Sequence, residues 1–124
     1  MSSVFKDQGR FMKACNQTVD RFNKEQFDLY IKLIDEEAKE VVQAVKDNDR
    51  QEILKELLDL IVVAVGAIHS LGADGEGAWK EVIRSNMSKV DKETGKIRKR
   101  EDGKILKPVG FSPANITPFL KIVK

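Results

Sequence analysis

Two short acidic strings carry the chemistry open to this sequence. Glu36-Glu37-Ala38-Lys39-Glu40 and Glu56-Leu57-Leu58-Asp59 each contain two carboxylates three residues apart. On a helix that spacing sets Glu37 with Glu40, and Glu56 with Asp59, on one face about one turn apart. Four clustered carboxylates are tolerated away from water only when some are protonated or when divalent cations neutralise them. Hard oxygen ligands select Mg²⁺ or Mn²⁺. Residues 57–68 are apolar on nearly every side, the mark of a buried helix, so Asp59 is expected inside. Lys55 and Arg50 are read as lying off its face, leaving Glu37 and Glu40 opposite it. A di-iron carboxylate site would need a Glu-x-x-His pair on each of two helices, and the single histidine, His69, lies ten residues past Asp59. His69 is therefore read as a packing or capping residue. The competing reading of the acids is a solvated stripe on a helical module that only mediates association.

The elements that must position these groups are helical. From Lys24 to Lys46 the stripe Phe27, Tyr30, Ile31, Ile34, Ala38, Val41, Val42 and Val45 keeps helical spacing, and Asp47-Asn48-Asp49 breaks it. Asp49 caps the next helix, which runs from about Arg50 to a stop at Gly72. So short a connection makes the two helices antiparallel neighbours. A moderately amphipathic helix is expected from about Val4 to Val19, and a fourth from about Gly75 to Lys89 with Asp74 as its cap. Beyond Val90, Glu93-Thr94-Gly95-Lys96 and Glu101-Asp102-Gly103-Lys104 are turn-like, so an irregular or hairpin-like tail is expected. Pro108, Pro113 and Pro118 exclude a long helix there.

Composition agrees. The chain has 124 residues, 41% hydrophobic and 34% charged, which fits one compact domain, 1–124, with a helical core over about 4–90 and a basic loop or tail over about 91–124. Aromatic residues are 6% and prolines three, which favours an all-α fold over a β-sandwich. With 22 Lys and Arg against 20 Asp and Glu, the net charge of +2 creates no field suited to nucleic acid. The tail cations Lys96, Arg98, Lys99, Arg100, Lys104 and Lys107 are diluted by Glu93, Glu101 and Asp102 and lack interleaved aromatics. They are read as a lid over a phosphate-bearing substrate, an arm to a neighbouring protomer, or a solvated hairpin. The longest apolar run, Leu60 to Ile68, falls short of the roughly 18 residues a membrane span needs. One cysteine, Cys15, and no secretory apolar region after Met1 make a reducing cytoplasm the expected location.

The ordered pair of strings resembles the EExxE and ExxD pattern of the all-α NTP pyrophosphohydrolases. That superfamily includes MazG-like proteins, dimeric dUTPases, dCTP pyrophosphatase and phosphoribosyl-ATP pyrophosphohydrolase. The resemblance covers about Phe11 to Pro113 and includes Asn86-Met87-Ser88-Lys89, similar to an Asn-x-x-Lys in relatives. It implies a MazG-like helical bundle whose four-helix core is completed by dimerisation, as a homodimer or homotetramer. It implies Mg²⁺, or Mn²⁺, held by Glu37, Glu40, Glu56 and Asp59, with Glu36 orienting a ligand or the attacking water. Glu36 or Glu37 is the candidate general base, since a metal-held carboxylate beside a metal-bound water can take its proton. The implied reaction is hydrolysis of a nucleoside triphosphate, ribo or deoxy, at the α–β anhydride to the monophosphate and pyrophosphate, a house-cleaning role. Phosphoribosyl-ATP hydrolysis in histidine synthesis is the alternative within the same chemistry. Asn86 and Lys89 are expected on the phosphates, with Arg98, Arg100 and Lys107 as further candidates. Gln17 and Trp79 are candidates for the base, beside Phe11, Asn16 and Phe22, although Phe11 and Phe22 at helical spacing also read as core.

Overall fold

The computed structural model describes residues 3–120, so the last four residues of the tail lie outside the described residues. The described chain is all-α. It forms α1 (Val4–Ala14), α2 (Lys24–Lys46), α3 (Arg50–Ser70) and α4 (Gly75–Met87), with a 3-10 turn over Thr117–Leu120. The helix starts follow local chemistry. Ser3, Asn23 and Asp49 cap α1, α2 and α3, each side chain accepting a hydrogen bond from the backbone N–H three residues on. The α1 helix ends earlier than the Val4 to Val19 expectation. Asn16 takes a φ of 60°, which a continuing helix does not allow, and Gln17 donates its N–H back to Met12 O.

The chain divides into two compact units, one built on residues 3–75 and the other spanning Glu76–Phe119. In the first, α2 and α3 form an antiparallel hairpin, joined through Asp47 to Asp49, and α1 packs on α3. The start of α2 is fastened to the end of α3. Gln26 Nε2 donates to Ser70 Oγ at 2.9 Å and to Thr18 O at 2.7 Å, while Ser70 Oγ donates to Gly66 O at 2.8 Å. His69 Nε2 lies 2.8 Å from the Phe5 carbonyl oxygen, so that nitrogen carries the proton and ties α3 to α1. This is the packing role expected of it. Met12, Tyr30, Val63 and Ala67 make the core, with Val19, Phe27, Leu33, Ile34 and Leu60 against it.

The closeness of the hairpin rests on Gly66. A Cβ there would lie 2.2 Å from Cε1 of the buried Tyr30 ring, so α2 and α3 approach at this level only because α3 lacks a side chain. The acidic strings lie farther along the hairpin, between this fixed point and the α2–α3 connection.

In the second unit, α4 carries an ion pair that organises the tail. Arg84 donates to both carboxylate oxygens of Glu81 at 2.8 Å, and the Asn115 N–H donates to Glu81 Oε2 at 2.8 Å. Arg84 also reaches Pro113 O at 3.2 Å, and Ser112 N–H donates to Ser88 Oγ at 3.0 Å. The tail is hairpin-like in places: isolated antiparallel bridges join Val90 to Ile97 and Lys99 to Ile105, and Gly95 and Gly103 supply the positive φ of the turns.

Replacing Gly66 by Ala should overpack the Tyr30 contact and lower unfolding stability by about 1–3 kcal/mol, read from urea midpoints. An unchanged midpoint would show that the helices separate there without cost.

Candidate metal centre

Glu37 on α2 and Glu56 and Asp59 on α3 converge across the hairpin. One carboxylate oxygen from each lies within 4.8 Å of the other two. The antiparallel pairing makes this possible, because residues midway along α2 face residues in the first half of α3. Spacing then aims the side chains: Glu56 and Asp59 share a face, and Glu37 meets them from the facing helix.

Burial falls on a different acid from the one expected. Asp59 is not the interior group. Its side chain is 38% exposed and its Oδ2 accepts from Lys55 Nζ at 2.8 Å. Residues four apart share a helical face, so Lys55 belongs to Asp59's face after all. The buried acid is Glu56, 4% exposed. Part of the reason is that the apolar residues expected to bury Asp59, including Leu57, Leu58 and Ile61, are themselves exposed on the described chain.

Glu56 is electrostatically strained. The adjacent Glu52 carboxylate, burial, the Glu37 carboxylate and the charge of Glu40 together push its carboxyl up to about 8, and Lys55 acts weakly the other way. Lys55 Nζ stands 3.8 Å from Glu56 Oε1, too far for a hydrogen bond. Glu37 Oε1 and Glu56 Oε1 are both buried without a hydrogen-bond partner. Orphaned carboxylate oxygens on both helices of the hairpin, within a cluster of three acids, match the donor set of a hard divalent cation, so these residues fit a metal ion. Glu52 and Lys55 are contributors that the acidic strings did not single out. Each stands four residues from a cluster member, and that spacing was the available signal.

The remaining candidates are placed as follows. Glu40 and Glu36 are exposed on α2, and Glu40 stands outside the tight three-residue cluster. Gln17 Oε1 accepts from the Tyr30 hydroxyl at 2.6 Å, a link between the turn after α1 and the core. Phe11, Phe22 and Trp79 are all more than half exposed rather than in the core. Asn86 and Lys89 are close, as their spacing predicts, with Lys89 Nζ 3.4 Å from Asn86 Oδ1. Arg98 pairs with Asp91 at 3.5 Å, and Arg100 is held by Asp102. Lys107 lies over the Phe111 ring. Trp79, Asn86, Lys89 and the tail cations all belong to the second unit, and Glu36, Glu37, Glu40, Glu56, Asp59 and Gln17 to the first.

A carboxyl raised by folding binds its proton more tightly in the native state, so its stabilising contribution is complete below the unfolded value and is lost as pH rises through the folded one. In EDTA the melting temperature should therefore fall between about pH 4.5 and 8, and Glu56→Gln should flatten that slope. A slope unchanged in the variant would assign the effect to other groups.

No curated protein matches the chain significantly. Among the described residues, no helix is long and apolar enough to cross a membrane. The phosphoribosyl-ATP pyrophosphohydrolase family model matches residues 9–86, which contain both acidic strings and the helices that bring them together. With more than half of its length matched and its carboxylates gathered on the α2–α3 hairpin, the chain belongs to the phosphoribosyl-ATP pyrophosphohydrolase family, within the all-α pyrophosphohydrolases that cleave phosphoanhydrides.

Proposed function

We propose that the protein is a Mg²⁺-dependent nucleoside triphosphate pyrophosphohydrolase, acting on a ribo- or deoxynucleotide at the α–β anhydride to release the monophosphate and pyrophosphate. The observation that carries this reading is the convergence of Glu37, Glu56 and Asp59, with two buried oxygens lacking partners. These three would hold the ion, Mg²⁺ or Mn²⁺, with Glu40 adding negative charge at the edge of the group. When bound, the ion neutralises charge on the phosphate oxygens and favours departure of pyrophosphate.

The chain's own groups have separable tasks. Glu56, buried and crowded by acids, sets the demand for a cation. Lys55 holds Asp59 in place through its 2.8 Å contact. A water oxygen forms the new bond to phosphorus, the bridging P–O bond breaks, and the bridging oxygen leaves with pyrophosphate. The proton of that water passes to Glu36 or Glu37. Glu36 is exposed and stands outside the cluster, so it is available for proton transfer without giving up a ligand oxygen.

Phosphoribosyl-ATP is the second substrate reading, favoured by the family match over residues 9–86. It uses the same bond and the same carboxylates. A homodimer or homotetramer belongs to the proposal as well. Leu54, Leu57, Leu58, Ile61 and Val62 on α3, with Val42 and Val45 on α2, are exposed large apolar residues, and a second copy of the hairpin would cover them. Cytoplasmic house-cleaning of nucleotides, with no membrane or nucleic-acid partner, completes this reading.

Assay of pyrophosphate release from ribo- and deoxynucleoside triphosphates and from phosphoribosyl-ATP, with Mg²⁺, tests the reaction and separates the substrates. Glu37→Gln and Asp59→Asn should each lower kcat/KM about 100-fold or more. Glu36→Gln should lower kcat while leaving Mn²⁺ affinity unchanged if it is the base. Release of single phosphate, or no turnover of any substrate by folded protein, would refute the assignment. Light scattering should give a dimer or tetramer, reduced in size by Leu58→Lys, and a wild-type monomer would remove the self-association claim.

A further inference from the structure

Lys55 immediately precedes the second acidic string and is no part of it, yet its ammonium lies against two of the three acids that converge across the hairpin. Its Nζ donates to Asp59 Oδ2 at 2.8 Å. The same nitrogen is 3.8 Å from Glu56 Oε1, one of the two buried oxygens without a hydrogen-bond partner. At that distance it supplies charge to Glu56 but no bond. Among the described residues, no other lysine or arginine comes within salt-bridge distance of Glu37, Glu56 or Asp59. One positive charge therefore answers three carboxylates.

The placement follows from the helix. A lysine four residues before an aspartate shares its face, and its position next to Glu56 lets the same ammonium stand beside that side chain. Near the start of α2, Lys24 and Asp28 form the same pair at 2.7 Å, ahead of the acidic string rather than within it. The Lys55 side chain is 63% exposed, so its flexible stem can turn into water without uncovering a buried surface. An ammonium held at the edge of a site by one hydrogen bond is a reversible occupant. Oxygens of Glu37, Glu56 and Asp59 that closed on a divalent cation would set two further positive charges directly beside Nζ. Like charges so near repel, and Asp59 cannot serve both partners fully.

We propose that Lys55 is a tethered counter-cation: its ammonium occupies the edge of the acidic cluster in the metal-free protein, and it swings into solvent when a divalent cation binds. Its hold on Asp59 thus belongs to the metal-free state. The lysine keeps three facing carboxylates partly neutralised there, and it sets the affinity of the site because binding must displace a fixed competitor. This inference rests on the metal-binding reading of Glu37, Glu56 and Asp59 and adds the group that regulates it. Lys55 is a positioning residue, acting through Asp59 and touching no reacting atom.

The test compares Mn²⁺ binding by metal-free wild type, Lys55→Gln, Lys55→Arg and Lys24→Gln at one fixed ionic strength, read by calorimetry. Lys55→Gln should bind Mn²⁺ roughly fivefold more tightly, and Lys55→Arg should return the affinity toward that of the wild type. Lys24→Gln removes the same charge and the same kind of helical pair, and it should leave the affinity as in the wild type. A lysine needed to orient Asp59 for the ion would give the opposite sign, with weaker binding in Lys55→Gln. In the wild type itself, the carbon resonance of Lys55 Cε should shift as Mg²⁺ is added and saturate at the concentrations that displace Mn²⁺. Unchanged or weaker affinity in Lys55→Gln, an equal gain in Lys24→Gln, or a Cε resonance that stays fixed through Mg²⁺ saturation overturns the proposal and leaves the metal centre standing. Absence of saturable binding in all four proteins overturns the metal centre, and the proposal with it.

Discussion

A carboxylic acid placed inside a helical hairpin with other carboxylates around it is the constraint on which the rest of the first unit depends. Glu56 is buried, Glu37 and Glu52 stand beside it, and nothing with a positive charge reaches hydrogen-bond distance. A fold selected only for stability would place an apolar residue there, since a buried carboxyl crowded by other acids is unfavourable when ionised and must hold a proton instead. The hairpin instead holds the acid through the helix caps at Asn23 and Asp49, the Gln26–Ser70 fastening and the Tyr30–Gly66 contact at the other end. Strength is supplied where the helices are closest and spent where the acids converge.

The same constraint divides labour within the acidic strings. Asp59 is quieted by Lys55 and remains partly in water, so it contributes an oriented oxygen at little cost. Glu37 and Glu56 keep buried oxygens without hydrogen-bond partners, which a divalent cation would satisfy. Glu36 and Glu40, exposed on α2, are free of that demand. Neighbouring acids in unequal environments differ in how readily they take up a proton or a cation.

Much of this was legible before any coordinates. The end of α2 and both ends of α3 followed from breakers and a cap, because Asp47-Asn48-Asp49 and Gly72 act locally. The pairing of acids followed from spacing and from the short connection. The identity of the buried acid did not follow, because it depends on which flank of α3 meets α2, and an almost uniformly apolar helix carries little information about its rotation. Lys55 was misplaced by the same ambiguity. The end of α1 was missed because Asn16 adopts a left-handed conformation that no glycine announces. In the tail, the cations were visible but their pairing was not. Arg100 finds Asp102 two residues away, whereas Lys89 and Lys107 meet on Phe111 through a fold that brings distant residues together.

The central claim is that Glu37, Glu56 and Asp59 exist to hold a divalent cation. Electron paramagnetic resonance of Mn²⁺ titrated into metal-free protein reads this directly, because bound ion is lost from the free-ion signal. The account predicts saturable binding by the wild type, competed by Mg²⁺, and its loss in a folded Glu56→Gln variant. Equal, unsaturable uptake by both proteins would contradict it and leave the acids as a strained but inert feature of a helical module.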